Sequence, residues 1–592
     1  MTGDNKNFIL AIAFSVAIIF GWQFFFSGYF SKRAPAPAPQ QQQSQTGTPQ
    51  QQAQGTIPSP GQPPAVARDA AVAQSARLPI STPRVEGSIR LTGAEFDDIR
   101  LKNYRETVDP KSPLISVLNP AGTIDGYFAE QGWAPAAGSA VKVPGPGTLW
   151  TAPQGAVLSV GKPVTLIWDN GEGLLFKRTI SVADDYLFTI RQEVENRGST
   201  PVTLFPYARI QRQGTPQVAG IYVLFEGLIG VLNGDLQEIH YKDLQGEKPI
   251  VKQDTTGGWL GFTDKYWATA LIPDQKLAAT ATFQHMTQNG RDVYQTDYLG
   301  KEPVVVAPGG QASSEGRLFA GPKVVQIINA IGEKYGIDRF DLMIDWGWFY
   351  FFTKPLFWLL EFIKGVVGNF GIAILIVTVI VKLLFFPLQN KSYESMSKMK
   401  KLQPEMERIK QRHPDDRMKQ QQEMMELYKR EKVSPLAGCL PIVIQIPVFF
   451  ALYKVIYVTI ELRHAPFFGW IQDLSAPDPT TLFNLFGLIP WTPPHILMIG
   501  LWPIIMGITM WMQMRLNPSP PDPIQAQLFN WMPLIFTFML ASFPVGLVIY
   551  WAWNNTLSIL QQSIIMKRQG VAVDFIGNIR NSLPFLKRKN AG

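Results

Sequence analysis

The sequence predicts a polytopic α-helical membrane protein of six spans with a large all-β domain on its outer side. Three observations predict it. Apolar runs concentrate at residues 8–26 and after residue 347 of the 592-residue chain, and about 20 apolar residues cross a bilayer as a helix. Between those regions lies a long stretch of alternating apolar and polar residues broken by turn signals, the period of half-buried strands. Lys and Arg collect in one late loop and in the tail, as they do on the cytoplasmic side of membrane proteins. Charged residues are only 17% of the chain and hydrophobic residues 46%. The single cysteine, Cys439, excludes an intrachain disulfide framework. Five histidines are scattered, and no HExxH, CxxC, GxxxxGK[ST] or GxSxG pattern occurs. The usual signatures of metal, nucleotide and nucleophile chemistry are therefore missing.

The elements follow in order. Residues 1–30 hold an apolar stretch at 8–26, longer than the about 7–15 residues of a secretory signal. Pro37 directly follows the only cleavage-like triplet, Ala34-Pro35-Ala36, so the reading is an uncleaved anchor span. Residues 31–80, rich in Pro, Gln and Ala, cannot bury a core and read as a flexible tether. Residues 81–340 read as a β-sandwich. Alternation recurs at 88–101, 164–167, 186–194 and 202–210, with turns at Asp169-Asn170-Gly171, Asn196-Arg197-Gly198 and Asn289-Gly290. Trp133 and Trp150 read as core packing before ligand contacts.

Residues 341–366 are dense in aromatics, with Lys354-Pro355 breaking the run. They predict an amphipathic helix lying in the membrane interface. Residues 367–388 form the second span. Within it, 371–388 reads GIAILIVTVIVKLLFFPL, with Lys382 its only charge. A charge at the centre of a spanning helix costs about 2.5–3.5 kcal/mol, so it faces a polar cavity or marks function unless it snorkels.

Residues 389–433 predict a cytoplasmic helical hairpin. Met399, Leu402, Met406 and Ile409 share one helix face, and Met418, Met425 and Tyr428 another, across a turn at His413-Pro414. These methionines either zip the hairpin together or offer adaptable contacts to varied apolar partners. Residues 434–566 hold spans three to six, at 435–460, 497–514, 529–543 and 545–566. Residues 567–592 are a basic tail.

Topology follows from charge. Twelve Lys/Arg lie in 389–433 and six after Met566, whereas 461–489 carries only Arg463. Both termini and the hairpin are then cytoplasmic, and the β-domain is outside. The hairpin's basic excess suits anionic lipid, ribosomal RNA or a nascent chain.

Polar residues lie at similar depths on several spans. Thr378 is one turn before Lys382, Gln445 lies in span three, and Asn554 and Asn555 lie in span six. Lipid offers them no partners. They form either a sealed cluster that glues helices or an open wet groove, and spacing alone does not choose.

Lys382 opens KLLFFPLQNKSYESMSKMKKLQPEM. EKVSPLAGCLPIVIQIPVFFALYKVI, ELRHAPFFGWIQDLSAPDP and NWMPLIFTFMLASFPVGLVIYWAWNNTLSILQQ follow. Together, over 340–562, they resemble the YidC/Oxa insertase family. The anchor, tether and outer domain match its Gram-negative form, which implies a mutarotase-like β-super-sandwich in the periplasm. The resemblance implies a five-helix core with a hydrophilic groove open to cytoplasm and lipid. Lys382 takes the place of the groove's positive charge, often arginine in the family. Lysine keeps the charge but loses the bidentate fork. Thr378, Gln445, Tyr550 and Trp551 match other groove or substrate-contact positions.

The expected function is a membrane protein insertase and chaperone of the bacterial inner membrane, without covalent chemistry or cofactor. The implied partners are nascent membrane proteins, the Sec translocon, the ribosome through the hairpin and tail, and anionic lipids, with no DNA. The alternative is a transporter or channel using Lys382 as an intramembrane anion site. It predicts repeat symmetry, and no convincing internal repeat is visible. A glycan-binding protein merely anchored by its spans would need neither five further spans nor a buried lysine.

Overall fold

A computed structural model describes residues 67–218, 224–246, 249–414, 416–433, 440–489, 491, 493–494, 497–517 and 523–571. The anchor at 1–30, most of the tether, Cys439 and the end of the tail lie outside the described residues. Among the described residues eleven α-helices are numbered α1 to α11 in chain order; strands are given by their residues.

The all-β part is a sandwich of a ten-stranded and an eight-stranded sheet. Alternation explains it: along Leu187–Asn196, for example, most alternate side chains are buried while Thr189, Arg191, Glu193 and Glu195 lie towards the surface. The core holds Trp133, Trp259, Phe96, Phe176, Phe188 and Phe262, and the Phe96 and Phe188 rings meet edge-on at 5.3 Å. Trp133 and Trp150 are both buried, the latter under the Arg178 guanidinium at 4.7 Å. Asn289 and Gly290 take φ of 50° and 74°, the left-handed pair that closes a two-residue hairpin, between Ala278–Gln288 and Arg291–Gly300.

The end of the expected tether is ordered. α1 (Arg68–Ala73) precedes the strand Arg77–Ser81, which pairs with Val85–Arg90. Leu78 and Ile80 enter the core, and Arg77 and Arg68 reach the carboxylates of Asp97 and Asp98. Composition marks where a chain cannot fold alone but misses a segment that completes a sheet built elsewhere.

α2 (Tyr241–Gln245) is a single turn within the β-domain, and α3 (Val325–Tyr335) follows its last strand. α4 (Tyr350–Val367) buries Thr353, Phe357, Leu360 and Ile363 and leaves Phe351, Phe362 and Val366 exposed, an amphipathic helix as its sequence predicts. α5 (Phe370–Leu384) begins at Asn369, whose side chain accepts the Ile372 N–H at 3.1 Å.

The uninterrupted helix expected over 367–388 is instead broken. α5 ends at Leu384 and α6 (Phe386–Arg412) leaves it at 70°. Pro387 explains the break: it has no N–H to donate back to the Leu383 carbonyl, its ring would clash with that carbonyl in a continuous helix, and it fits the first turn of α6. Among the described residues no single helix is long and apolar enough to cross a membrane. α5 and α6 meet that measure of length and composition only as a bent pair.

α7 (Arg417–Arg430) returns along α6. Arg430 bonds Glu405 at 2.8 Å and His413 bonds Glu423 at 2.8 Å. Met399, Met406 and Ile409 pack on Met424, Leu427 and Tyr428. The expected stripe on the second helix is therefore shifted: Met424 enters the core, at i, i+3 and i+4 with Leu427 and Tyr428. Met418 and Met425 point out, Met418 being 84% exposed.

α8 (Leu440–Val458), α9 (Leu501–Leu516), α10 (Pro523–Leu540) and α11 (Val545–Arg568) complete the helical part. Among the described residues, polar ties around Asp345, Glu461 and Arg463 help fasten it to the β-domain. Lys454 pairs with Asp345 at 2.6 Å, and Asp345 also accepts the Phe225 N–H at 3.0 Å. Glu461 accepts the Val325 N–H at the start of α3 at 3.0 Å; burial pushes its carboxyl up to about 7. Arg463 donates to the Arg105 and Glu106 carbonyls at 2.6 and 3.1 Å and lies over the Trp267 ring.

Candidate functional site at Lys382

The break after Leu384 places Lys382 in the last turn of α5, facing α11. Its Nζ donates to Ser558 Oγ at 2.6 Å. Ser558 in turn donates to the Asn554 carbonyl one turn earlier, at 2.8 Å. Among the described residues no carboxylate pairs with Lys382. A neutral hydroxyl solvates the ammonium but leaves its charge uncompensated.

Beside this contact lies a cavity of about 320 Å³ between α5, the start of α6 and the second half of α11. Lys382, Asn390, Gln561 and Arg568 give it polar walls, and Leu383 and Ile564 are among its apolar ones. Leu383, Leu384, Leu560 and Ile564 are exposed around it. A cationic, amide-bearing hollow thus opens through an apolar rim.

The other sequence candidates are not gathered around that hollow. Thr378 is buried and donates to the Ile374 carbonyl of its own helix at 2.7 Å. Gln445 Nε2 donates to the Tyr550 hydroxyl, tying α8 to α11. Asn555 donates to Thr509 Oγ1 at 3.3 Å, tying α11 to α9. Asn554 is buried and joins the site through its carbonyl. Trp551 packs between Phe449 at 4.6 Å and Phe536 at 5.9 Å. Helix-joining contacts and an open hollow therefore coexist: Gln445 and Asn555 join helices, Thr378 and Asn554 bond within their own, and Lys382 alone of the set lines the cavity.

Sequence reading missed Ser558, Gln561, Asn390 and Arg568. A signal for the first two was present, since Asn554, Ser558 and Gln561 recur at helical spacing along one face of an otherwise apolar run. Asn390 and Arg568 carry no such mark and are brought in by the bend and by the length of α11. Among the described residues no cluster of three or more His, Cys, Asp or Glu side chains could hold a metal.

Comparison with known families and proteins gives one consistent result. Residues 77–359 match the family model for the YidC periplasmic domain, and residues 362–571 the model for the 60Kd inner membrane protein. The membrane protein insertase YidC of Bradyrhizobium diazoefficiens is 55% identical, over 98% of this chain and 99% of the relative. That of Sinorhizobium fredii is 54% identical over 98% of each. A solved active YidC insertase with its first transmembrane domain resolved is 19% identical, with a TM-score of 0.35, over 81% of this chain and 90% of that one.

Proposed function

Because this chain belongs to the YidC family of membrane protein insertases, we propose that it inserts substrates through the cavity beside Lys382. It is an inner-membrane insertase with a periplasmic β-sandwich, and its family is not one of enzymes. The finer reading is six spans with both termini in the cytoplasm, and a five-helix core in which α5 and α6 cross as a bent pair.

The observation that carries the mechanism is the uncompensated Lys382 ammonium on the wall of a hollow with an apolar rim. An incoming segment arrives from the cytoplasm with a short polar or acidic tail that must reach the periplasm. Asn390, Gln561 and water in the cavity solvate that tail part-way across, and Lys382 attracts its carboxylates. Two unit charges about 4 Å apart at an effective dielectric of about 20 interact by about 4 kcal/mol. That is enough to offset a good part of the cost of one acidic group in transit. The apolar segment then slides along the exposed aliphatic rim into lipid. Each buried CH₂ contributes about 0.8 kcal/mol, so a whole span drives its own release without a nucleotide.

In this reading the α6–α7 hairpin and the basic tail receive the nascent chain and the ribosome on the cytoplasmic side, near anionic lipid. The insertase also works beside the Sec translocon. Met418 and Met425, exposed on the hairpin, are the contacts it offers to apolar segments.

Depletion and complementation tests the groove charge, with Lys382→Arg, Lys382→Ala and Lys382→Glu scored by protease protection of a small acidic-tailed membrane protein. Arg is expected to restore insertion, while Ala and Glu fail at normal protein levels. Insertion by Ala and Glu at the wild-type rate would remove charge attraction from the mechanism.

A further inference from the structure

The loop between α8 and α9 carries a second surface that the groove does not use. Residues 479–500 contain no Asp, Glu, Lys or Arg. Within them the short turn Leu482–Gly487 and the residues after it turn large apolar side chains outward: Phe483, Leu485, Phe486, Leu488, Ile489 and Trp491 are all exposed, Leu488 by 83%. Leu485 and Phe486 adopt φ of 49° and 59°, a left-handed conformation that costs a bulky residue roughly 1–2 kcal/mol. The backbone holds this conformation with the two side chains outside the core.

The projection is built on a fixed base. The buried Asp478 carboxylate accepts the Thr480 N–H at 3.0 Å, the Thr480 hydroxyl at 2.7 Å, the Trp470 indole N–H at 3.1 Å and the Trp502 N–H at 2.9 Å. The last of these lies in the first turn of α9, where a carboxylate is favoured. A Cβ on Gly500 would come within 2.5 Å of that carboxylate. The tip satisfies its own amides: Phe486 N–H to Thr481 O at 2.9 Å, Ile489 N–H to Asn484 O at 3.0 Å and Trp491 N–H to Ile489 O at 2.8 Å.

We propose that this finger is seated in the outer leaflet of the bilayer at the headgroup–acyl boundary, and fixes the depth of the outer ends of α8 and α9. Three observations select lipid over a protein partner. The segment carries no charge to specify a protein surface. Amides of its described tip, those of Phe486, Leu488, Ile489 and Trp491, are satisfied within the segment, as a low-dielectric setting demands. It runs directly into α9, whose Ile508 faces outward, on the side where Arg463 and Glu461 of the same loop meet the periplasmic domain. Irregular backbone is not tolerated in the hydrocarbon centre, and Phe and Trp favour the interface, so the seat is shallow.

The test uses the full chain with Cys439→Ser in nanodiscs of phosphatidylethanolamine and phosphatidylglycerol. An environment-sensitive nitrobenzoxadiazole label is placed at Leu488→Cys. The control label is at Ile124→Cys, an exposed position of the β-domain. Blue-shifted emission at 488 is expected, with at least twofold more quenching by shallow than by deep spin-labelled lipid, and neither at 124. A label at 488 as water-exposed and unquenched as that at 124 overturns the proposal. So does a blue shift that appears only when another protein is added. Phe483→Cys gives the same reading if Leu488→Cys does not accumulate.

Discussion

Lys323 in the β-domain and Lys382 among the helices meet the same difficulty with different surroundings. Lys323 is 1% exposed and donates to the Thr263 hydroxyl at 2.9 Å. Lys382 is half-buried and donates to the Ser558 hydroxyl at 2.6 Å. Burial pushes Lys323 down to about 8, against the opposing fields of Asp345, Asp264 and Glu226. Those three carboxylates are themselves engaged: Asp345 holds Lys454, Asp264 holds Arg212, and Glu226 accepts the Lys265 N–H. Lys382 has no such company among the described residues. The β-domain sets carboxylates around its buried lysine, although burial still outweighs their fields. The insertase core leaves a cation without a carboxylate among the described residues, and in the proposed mechanism the substrate balances it.

Giving Lys382 a carboxylate of its own, where Lys323 has only the fields of nearby ones, would break the contrast most severely. Ser558→Asp places a carboxylate where the hydroxyl now sits. An attraction of about 4 kcal/mol at such a site would occupy the ammonium permanently. Insertion of an acidic-tailed substrate, read by protease protection, is expected to fall at least tenfold. Ser558→Ala should lower it less than threefold, because the charge stays free. Insertion of a substrate with an uncharged tail should respond equally to both. Wild-type insertion of the acidic-tailed substrate by Ser558→Asp would mean that a free charge is not what the core supplies.

The converse manipulation strips the β-domain side of its balance. Asp345→Ala removes an ion-pair partner of Lys454 and the largest opposing field on Lys323. Losing one member of a buried pair destabilises by about 3–5 kcal/mol. Thermal unfolding of the purified chain in detergent should show that loss, since the tie also joins the β-domain to α8. A change under about 1 kcal/mol would mean that water reaches this cluster and that its lysines are not truly buried.

Lys323 also predicts a pH dependence with a definite sign. Its native value of about 8 lies below the ordinary lysine value of 10.5, so between those limits the unfolded chain binds a proton that the native chain lacks. Stability then rises with pH across that window, by up to about 3 kcal/mol in all, and is independent of this group below it. The difference between wild type and Lys323→Met in denaturant midpoint, followed from pH 8 to 9.5, isolates the effect. A difference that stays flat over this range would place the charge of Lys323 in contact with water.

How much of this was legible beforehand depends on whether the cause is local. Asn289-Gly290 closes its hairpin because two adjacent residues accept positive φ, and that is written in the pair itself. Lys382 was conspicuous as the one charge in an apolar run. The bend after Leu384 was hidden by that same run, although Pro387 supplied its cause. The strand Arg77–Ser81 was lost to the composition of the tether before it, because what orders it, Asp97 and the strand Val85–Arg90, lies further along the chain. Ser558 and Arg568 join the site only through the crossing of α5, α6 and α11, which no spacing along one helix encodes.

The smallest expected effect extends the same contrast to neutral side chains. Met424 and Met425 are adjacent in α7, yet one is enclosed by the hairpin and the other left outside. The helical period turns successive residues by about 100°, so neighbours cannot share a face. Met424→Ser removes apolar surface already buried against Met399 and Met406, and should destabilise the hairpin by about 2 kcal/mol, seen as faster amide exchange across α6 and α7. Met425→Ser should change that exchange by less than about 0.5 kcal/mol, while lowering crosslinking of the hairpin to an apolar nascent segment by a factor of about two. If Met425→Ser loosens the hairpin as much as Met424→Ser, the exposed methionine is a packing residue. The hairpin then has no spare apolar surface at that position to offer, in contrast to the spare charge of Lys382.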